Sequence, residues 1–277
     1  MTQTSFSPAN RNVVSRALLA VAAISLIAAM PLGNAFLSLT AGEQAADCLV
    51  VIHGLLRTER NTARLARQFD SEYDVLNFGY NSRQPIDVLA TELAGAVDRH
   101  CADDDRTVHF AAHSMGGIVV RRFLEMNRPD NLGRVVLLGP PNSGSELVDR
   151  LPQRPMRWIA GESALMLGTE PDSAPNALAA VDFELGVIAG GRSIKPIASR
   201  LIPGDDDGLV AVERTRVDGM RDHIVMAVHH QELVKSPAVA AQVAHFIANG
   251  TFDRPEDSAH SQPQESPSDP YFSEFPI

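Results

Sequence analysis

The sequence predicts an α/β fold, a mostly parallel, doubly wound sheet with helices on both faces. Three observations carry this reading. Short apolar runs of strand length recur along the chain, and segments with helical periodicity separate them. The runs are continuous rather than alternating, as expected of strands buried on both faces. With 277 residues, of which 44% are hydrophobic, the chain is also long and apolar enough for one large core.

The elements follow in order. Residues 49–52 form the first expected strand, which ends in His53-Gly54, and residues 74–78 form the second. After Pro85, the residues Ile86, Leu89, Ala90, Leu93 and Val97 recur at helical spacing, so an amphipathic helix should run to about Asp98-Arg99-His100. Residues 108–112 read as a strand, 118–126 as a helix and 135–138 as a strand. A weaker strand at 185–189 and a last one at 224–228 complete the sheet. Ser236 is a natural N-cap with Pro237 at the first helical position, opening a final helix that turns Val239, Val243, Phe246 and Ile247 inward. Between residues 140 and 200 the alternation is interrupted by a segment holding Met156, Trp158, Leu165, Met166 and Leu167. It reads either as a cap over a site or as packing for one side of the core.

Three regions divide the chain: residues 1–42, 43–250 and 251–277. In the first, Arg11 and Arg16 precede a charge-free stretch from 17 to 42 whose strongest apolar run is 17–30. That pattern is an export signal or a membrane anchor, with an uncleaved anchor favoured and its basic end in the cytoplasm. The 43–250 domain is then expected on the periplasmic or extracytoplasmic side, or secreted if the segment is cut. From Phe252 onward Pro, Ser, Asp and Glu replace apolar residues, which predicts a disordered tail without chemistry. A net charge of −10 argues against a nucleic-acid partner, since phosphate binding needs a basic surface. In an exported chain the two cysteines, Cys48 and Cys101, can form a disulfide. Each precedes an apolar run, so neighbouring parallel strands would bring both to the same end of the sheet.

One serine stands out. Ala112-His113-Ser114-Met115-Gly116 has the small-x-Ser-x-Gly spacing of a nucleophile elbow, with a strand before it and a helix after it. The turn is tight enough to admit only small flanking residues, which Ala112, Gly116 and Gly117 supply. The backbone N–H of Met115, at the helix start, would face a developing oxyanion, and the N–H of Leu55, after the His53-Gly54 turn, would be the second donor. A serine hydroxyl needs a base, and the base needs an acid to orient it. Asp205, Asp206 and Asp207 lie in a loop after the weak strand, and His229 and His230 follow the last strand, which gives the order Ser, Asp, His. Asp207 is chosen because Gly208 can turn the chain beside it, while Asp205 and Asp206 fit ordinary turn chemistry. His230 is chosen ahead of His229. His53 and His113 flank the site, and His109 reads as a core residue. No metal or cofactor is expected: there is no His-x-x-x-His pair within an expected helix, no cysteine cluster and no phosphate loop.

Taken together, VVIHGL, HFAAHSMGGIVVRRFL, VVLLGPPNSGSELVD and DDDGLVAVE resemble the α/β-hydrolase superfamily, specifically its bacterial lipase and esterase group with a His-Gly oxyanion loop. The resemblance covers roughly residues 48–249. It implies the α/β-hydrolase fold, a triad of Ser114, Asp207 and His230, and oxyanion donors at Leu55 and Met115. Related sequences carry Leu or Met three positions after the catalytic histidine, which Leu233 matches when counted from His230. Ala112 replaces the usual first glycine of the elbow, and Gln231 stands where Ser or Thr is common. The implied activity is hydrolysis of a carboxylic ester with an acyl or lipid part through an acyl-enzyme. The alternatives are an acyltransferase on the same triad and a binding protein of this fold without catalysis.

Overall fold

The computed structural model describes residues 46–102 and 105–254. They build a parallel sheet of six strands, β1 (Cys48–Ile52), β2 (Asp74–Phe78), β3 (Val108–His113), β4 (Leu132–Leu138), β5 (Leu185–Gly190) and β6 (Asp222–Met226). Their order in space is β2-β1-β3-β4-β5-β6. Helices α1 (Glu59–Ala66), α2 (Ile86–His100) and α3 (Met115–Met126) connect the first four strands. Four short helices, α4 (Glu146–Arg150), α5 (Gln153–Ala160), α6 (Glu162–Leu165) and α7 (Ala174–Ala177), lie between β4 and β5. α8 (Pro196–Ser199) follows β5, and α9 (Pro237–Asn249) follows β6. This is the α/β-hydrolase architecture expected from the sequence.

Because successive strand residues point to opposite faces, each buried strand feeds two cores. Val50, Ile52, Phe110, Leu137 and Val187 pack on one face with Leu89 and Leu93 of α2 and Ile118 and Phe123 of α3. Leu49, Val51, Ala111, Val136 and Ile188 pack on the other with Leu65 of α1 and Val239, Val243 and Phe246 of α9. This double burial is why the strands read as unbroken apolar runs.

Some elements differ from the sequence expectation, for local reasons. α1 was not expected: its sequence ERNTARLA buries only Thr62, Leu65 and Ala66, a stripe too narrow to give an apolar period. β6 runs from Asp222 to Met226 rather than over 224–228, since its pairing starts at Asp222 beside Gly186 and Val228 lies past the turn. Ser236 does cap α9, its side chain accepting from the Val239 N–H.

Cys48, at the start of β1, and Cys101, at the end of α2, are joined by a disulfide with Cα atoms 5.8 Å apart. The ordered chain also extends past residue 250. Phe252 is fully buried against Phe246, at 5.0 Å between ring centroids, and its N–H donates to Asp222. Arg254 donates to the same carboxylate at 2.6 Å. The folded region thus reaches Arg254, because Gly186 leaves a space in β5 that the two phenylalanines fill and Asp222 draws donors across it. The rest of the expected tail and the whole of residues 1–42, with the expected signal or anchor, lie outside the described residues. Among the described residues no helix is long and apolar enough to cross a membrane.

Candidate active site

The strand order places the site. The chain runs from β1 outward to β2, then returns to β3 on the other side of β1, so the crossovers diverge between β1 and β3. At such a switch point the loops leaving the two strands part and open a crevice at the carboxyl edge of the sheet. Ser114 follows β3, and His53-Gly54-Leu55 follows β1.

Ser114 occupies a sharp turn with φ 56° and ψ −129°, a conformation that costs on the order of 1–3 kcal/mol for a residue with a side chain. The turn persists because both sides are fixed: the Ser114 N–H donates to the Leu138 carbonyl at 2.9 Å, and α3 packs against the end of β1. Gly116 permits that packing, since a Cβ there would lie 2.5 Å from the His53 carbonyl oxygen. The result is a half-buried hydroxyl standing at the end of β3.

Sequence-distant loops complete the arrangement. His230 Nε2 lies 3.0 Å from Ser114 Oγ, and His230 Nδ1 lies 2.6 Å from Asp207 Oδ2. The other carboxylate oxygen of Asp207 accepts from the N–H groups of Leu209 and Val210 at 3.0 and 2.9 Å, and the His230 N–H donates to the Asp207 carbonyl. Both side chains are buried, so the pair is shielded from water. Asp206 belongs to the turn: it accepts from Gly208 N–H and Ser199 Oγ. His229 faces Glu232 instead, at 3.8 Å.

The two expected backbone donors flank the serine. Met115 is the first residue of α3, where N–H groups have no partner within the helix. The Gly54 turn abuts Ser114 closely, since a Cβ on Gly54 would lie 2.8 Å from Ser114 Cβ, and Leu55 follows it into the same cavity. The next amide, Leu56, is already committed to Ser82 Oγ at 2.9 Å. His53 braces this turn: its Nδ1–H donates to the Gly54 carbonyl, its Nε2 accepts from the Tyr80 N–H, and its ring stacks on Tyr80 at 4.1 Å. His113 donates through Nε2 to the His230 carbonyl at 3.0 Å. Burial first, and the neighbouring His230 second, hold the His113 pKa well below its ordinary value. His113 is therefore a neutral brace.

A cavity of about 460 Å³ opens over Ser114 and His230, walled by Leu147, Met156, Ile159, Leu167, Leu209 and Val210. The interrupting segment thus splits its roles. Met156 and Leu167 wall the cavity, Met166 packs on the core, and Trp158 does neither, being 80% exposed. Among the described residues no group of three His, Cys, Asp or Glu side chains is arranged to hold a metal ion.

Sequence reasoning missed Gly139. Its φ is +57°, and a Cβ there would lie 2.7 Å from Leu233, 3.0 Å from Asp207 Oδ2 and 3.3 Å from His230 Nδ1. Its place just after β4 in VVLLGPP was the available signal. Gln231, the unusual residue beside His230, accepts from Arg57 at the cavity rim.

Among solved structures the chain is similar to a lipase of Bacillus licheniformis in its mature form, with 19% identity, 75% of this chain and 93% of that one covered, and a TM-score of 0.56. A phospholipase of Legionella pneumophila matches at 16% identity over 73% of this chain and 57% of that one, with a TM-score of 0.57. A metagenomic carboxyl esterase matches at 18% identity over 67% and 65%, with a TM-score of 0.52. At these identities the likeness shows a shared fold. No curated protein matches by sequence. The model of one family, described as the alpha/beta hydrolase family, matches residues 49–273, and the chain accordingly belongs to the alpha/beta hydrolase family.

Proposed function

We propose that the protein is a serine hydrolase that cleaves carboxylic esters with an apolar acyl part. The observation that carries this reading is the hydrogen-bonded series Ser114, His230, Asp207, at 3.0 and 2.6 Å, opening into an apolar cavity. A binding protein of the same fold has no use for a strained serine facing a buried histidine-carboxylate pair.

In the proposed mechanism His230 Nε2 takes the Ser114 proton as Oγ bonds to the ester carbonyl carbon. The N–H groups of Leu55 and Met115 hold the oxyanion, and Asp207 keeps the imidazole proton on Nδ1. As the tetrahedral species collapses, the ester C–O bond breaks and His230 protonates the leaving alcohol. Water, deprotonated by His230, then attacks the acyl-Ser114 ester, releasing the acid and returning the proton to the serine. The cavity walls supply apolar contact for the acyl chain. The disulfide supports a place outside the cytoplasm, in keeping with the basic-then-apolar N-terminal sequence.

Labelling with a fluorophosphonate tests the assignment. The modification should map to the Ser114 peptide, and Ser114→Ala should lose both labelling and ester turnover while staying folded. A folded wild-type protein that takes no label, or a Ser114→Ala protein with wild-type turnover, would overturn it.

A further inference from the structure

The carboxyl edge of the sheet carries more exposed apolar surface than ester cleavage uses. Nine large hydrophobic side chains are exposed among the described residues. Six of them, Leu56, Leu151, Trp158, Ile159, Ile194 and Ile197, lie in segments that leave the carboxyl ends of β1, β4 and β5. Leu56, Leu151 and Ile159 also line the cavity over Ser114, so they form its rim. α8, which carries Ile197, is tied to the Asp206 turn through Ser199 at 2.9 Å, and Leu209 of that turn lines the same cavity. Trp158 and Ile197, at 80% and 78% exposure, project beyond this rim from two different segments.

The charges next to these side chains are of one kind: residues 150–159 hold Arg150, Arg154 and Arg157 without an Asp or Glu, and residues 191–204 hold Arg192, Lys195 and Arg200 without one. Exposed Arg150, Arg154, Lys195 and Arg200 make no ion pair among the described residues. Of the carboxylates in the same loops, Asp149 accepts from Thr169, Glu146 from Arg214, and Glu162 faces Arg157 at 3.6 Å, while the exposed Glu170, Asp172 and Asp205 lie outside these two stretches. The chain as a whole has a net charge of −10, so the cations around the cavity run against its general charge. An indole and aliphatic side chains projecting among free cations match the layered chemistry of an anionic lipid surface, with phosphates outside and acyl chains beneath. The acidic remainder of the molecule is repelled by such a surface, which leaves this face as the one that can approach it.

We infer that the carboxyl-edge face docks onto an anionic phospholipid bilayer. Trp158, Ile159 and Ile197 enter the headgroup boundary, and Arg150, Arg154, Lys195 and Arg200 meet the lipid phosphates. The mouth of the cavity then opens toward the acyl chains. This docking requires no turnover and stands apart from the proposed hydrolysis.

Trp158 is the only tryptophan of the chain, so its emission reports on this face alone. The full-length Ser114→Ala protein is titrated with vesicles of phosphatidylcholine, with or without phosphatidylglycerol, and with acyl-brominated versions of each. The expected result is a blue shift and bromine quenching on the phosphatidylglycerol vesicles, with little change on phosphatidylcholine alone. Reversing the four cations to Glu should weaken the apparent vesicle affinity by at least about fivefold per cation. The same reversal in the Ser114 background should leave turnover of a short soluble ester at the wild-type value. Unchanged emission on anionic vesicles overturns the inference. So does an equal shift on both lipid compositions that survives charge reversal, since N-terminal insertion or plain apolar contact would then suffice. A shift that grows with protein concentration in the absence of lipid assigns the face to a second copy of the chain instead. If the fluorophosphonate experiment fails, the vesicle experiment still decides docking.

Discussion

Replacing Asp207 by Asn offers a severe test of the proposed chemistry, because the surroundings dictate which way the amide must point. Asp207 Oδ1 receives two backbone N–H groups, from Leu209 and Val210, at 3.0 and 2.9 Å. An NH₂ group there would face two donors, so the amide oxygen keeps that position and the NH₂ is turned toward His230 Nδ1. Nδ1 must then accept, which moves the imidazole proton to Nε2, the nitrogen 3.0 Å from Ser114 Oγ. A protonated Nε2 cannot take the serine proton. The expected cost in kcat is about 10⁴-fold, or about 5.4 kcal/mol of transition-state stabilisation. Folding should lose only about 1–2 kcal/mol, the difference between a charge-assisted bond and a neutral one, since every donor keeps a partner. Asp207→Ala is the companion variant: it leaves the Leu209 and Val210 donors unpaired beside a buried site and should cost about 2–4 kcal/mol in stability. Steady-state turnover of a soluble p-nitrophenyl ester and denaturant unfolding measure the two quantities. If Asp207→Asn retains kcat within tenfold of the wild type, the imidazole tautomer is not set by Asp207, and the mechanism fails at that step.

Three further outcomes are expected. Ser114→Gly should be inactive yet about 1 kcal/mol more stable than Ser114→Ala, since glycine accepts φ 56° without strain; equal unfolding free energies would refute stored strain at the elbow. Replacing Cys48 and Cys101 together by Ala should lower the unfolding free energy by about 4 kcal/mol, from the loop spanning 53 positions, while turnover of the soluble ester per folded molecule stays unchanged. The third concerns pH. Burial lowers the pKa of His223 to about 4 and holds that of His113 well below 6.5, so below about pH 6.5 the unfolded chain binds protons that the native state refuses. Stability should therefore fall as pH drops from 6.5 toward 4 and level off above about 7. Replacing His223 by Asn should flatten that slope, and denaturant unfolding at pH 5 and pH 7 reads it.

What the sequence made legible follows the range over which its signals act. Strands buried on both faces leave continuous apolar runs, so β1, β3 and β5 were placed to within a residue at each end, whereas β4 was expected only from Val135, because Leu132, Gly133 and Arg134 are half-buried and break the apolar run. The elbow was legible because small residues must flank Ser114 wherever α3 meets β1 so closely. His230 was preferred to His229, with support from the spacing to Leu233 that the family resemblance implies, and the fold supplies a physical reason for that spacing: Leu233 is fully buried and packs where a Cβ on Gly139 would lie. Asp207 was chosen for the glycine after it, whereas its position depends on two amides further along the turn. α1 and the helices between β4 and β5 stayed hidden, since each buries too few residues to print a period. Phe252 was assigned to the tail because its partners, Phe246 and Asp222, come from elsewhere in the chain. Gly139 had only its place after β4 to mark it, for the same reason: what forbids its Cβ belongs to Asp207, His230 and Leu233.

The parallel sheet also explains why these features separate as they do. With every strand running the same way, each loop leaving a carboxyl end lands on one edge, and each loop arriving lands on the other. Ser114, the His230 loop, the Asp207 turn, the cavity wall and the rim cations all leave carboxyl ends and share one edge. The disulfide and the buried Phe252 sit toward the opposite edge, where Cys48 opens β1 and Asp222 opens β6. Constraints on folding and constraints on chemistry thus fall on different loops. The Cys48 and Cys101 replacements should shift stability without touching kcat for a soluble ester, and Asp207→Asn should lower kcat about 10⁴-fold while costing only about 1–2 kcal/mol in stability. A Cys48 and Cys101 replacement that lowered kcat for a soluble ester as much as stability would show that the sheet transmits more between its ends than its rigid, doubly buried strands allow.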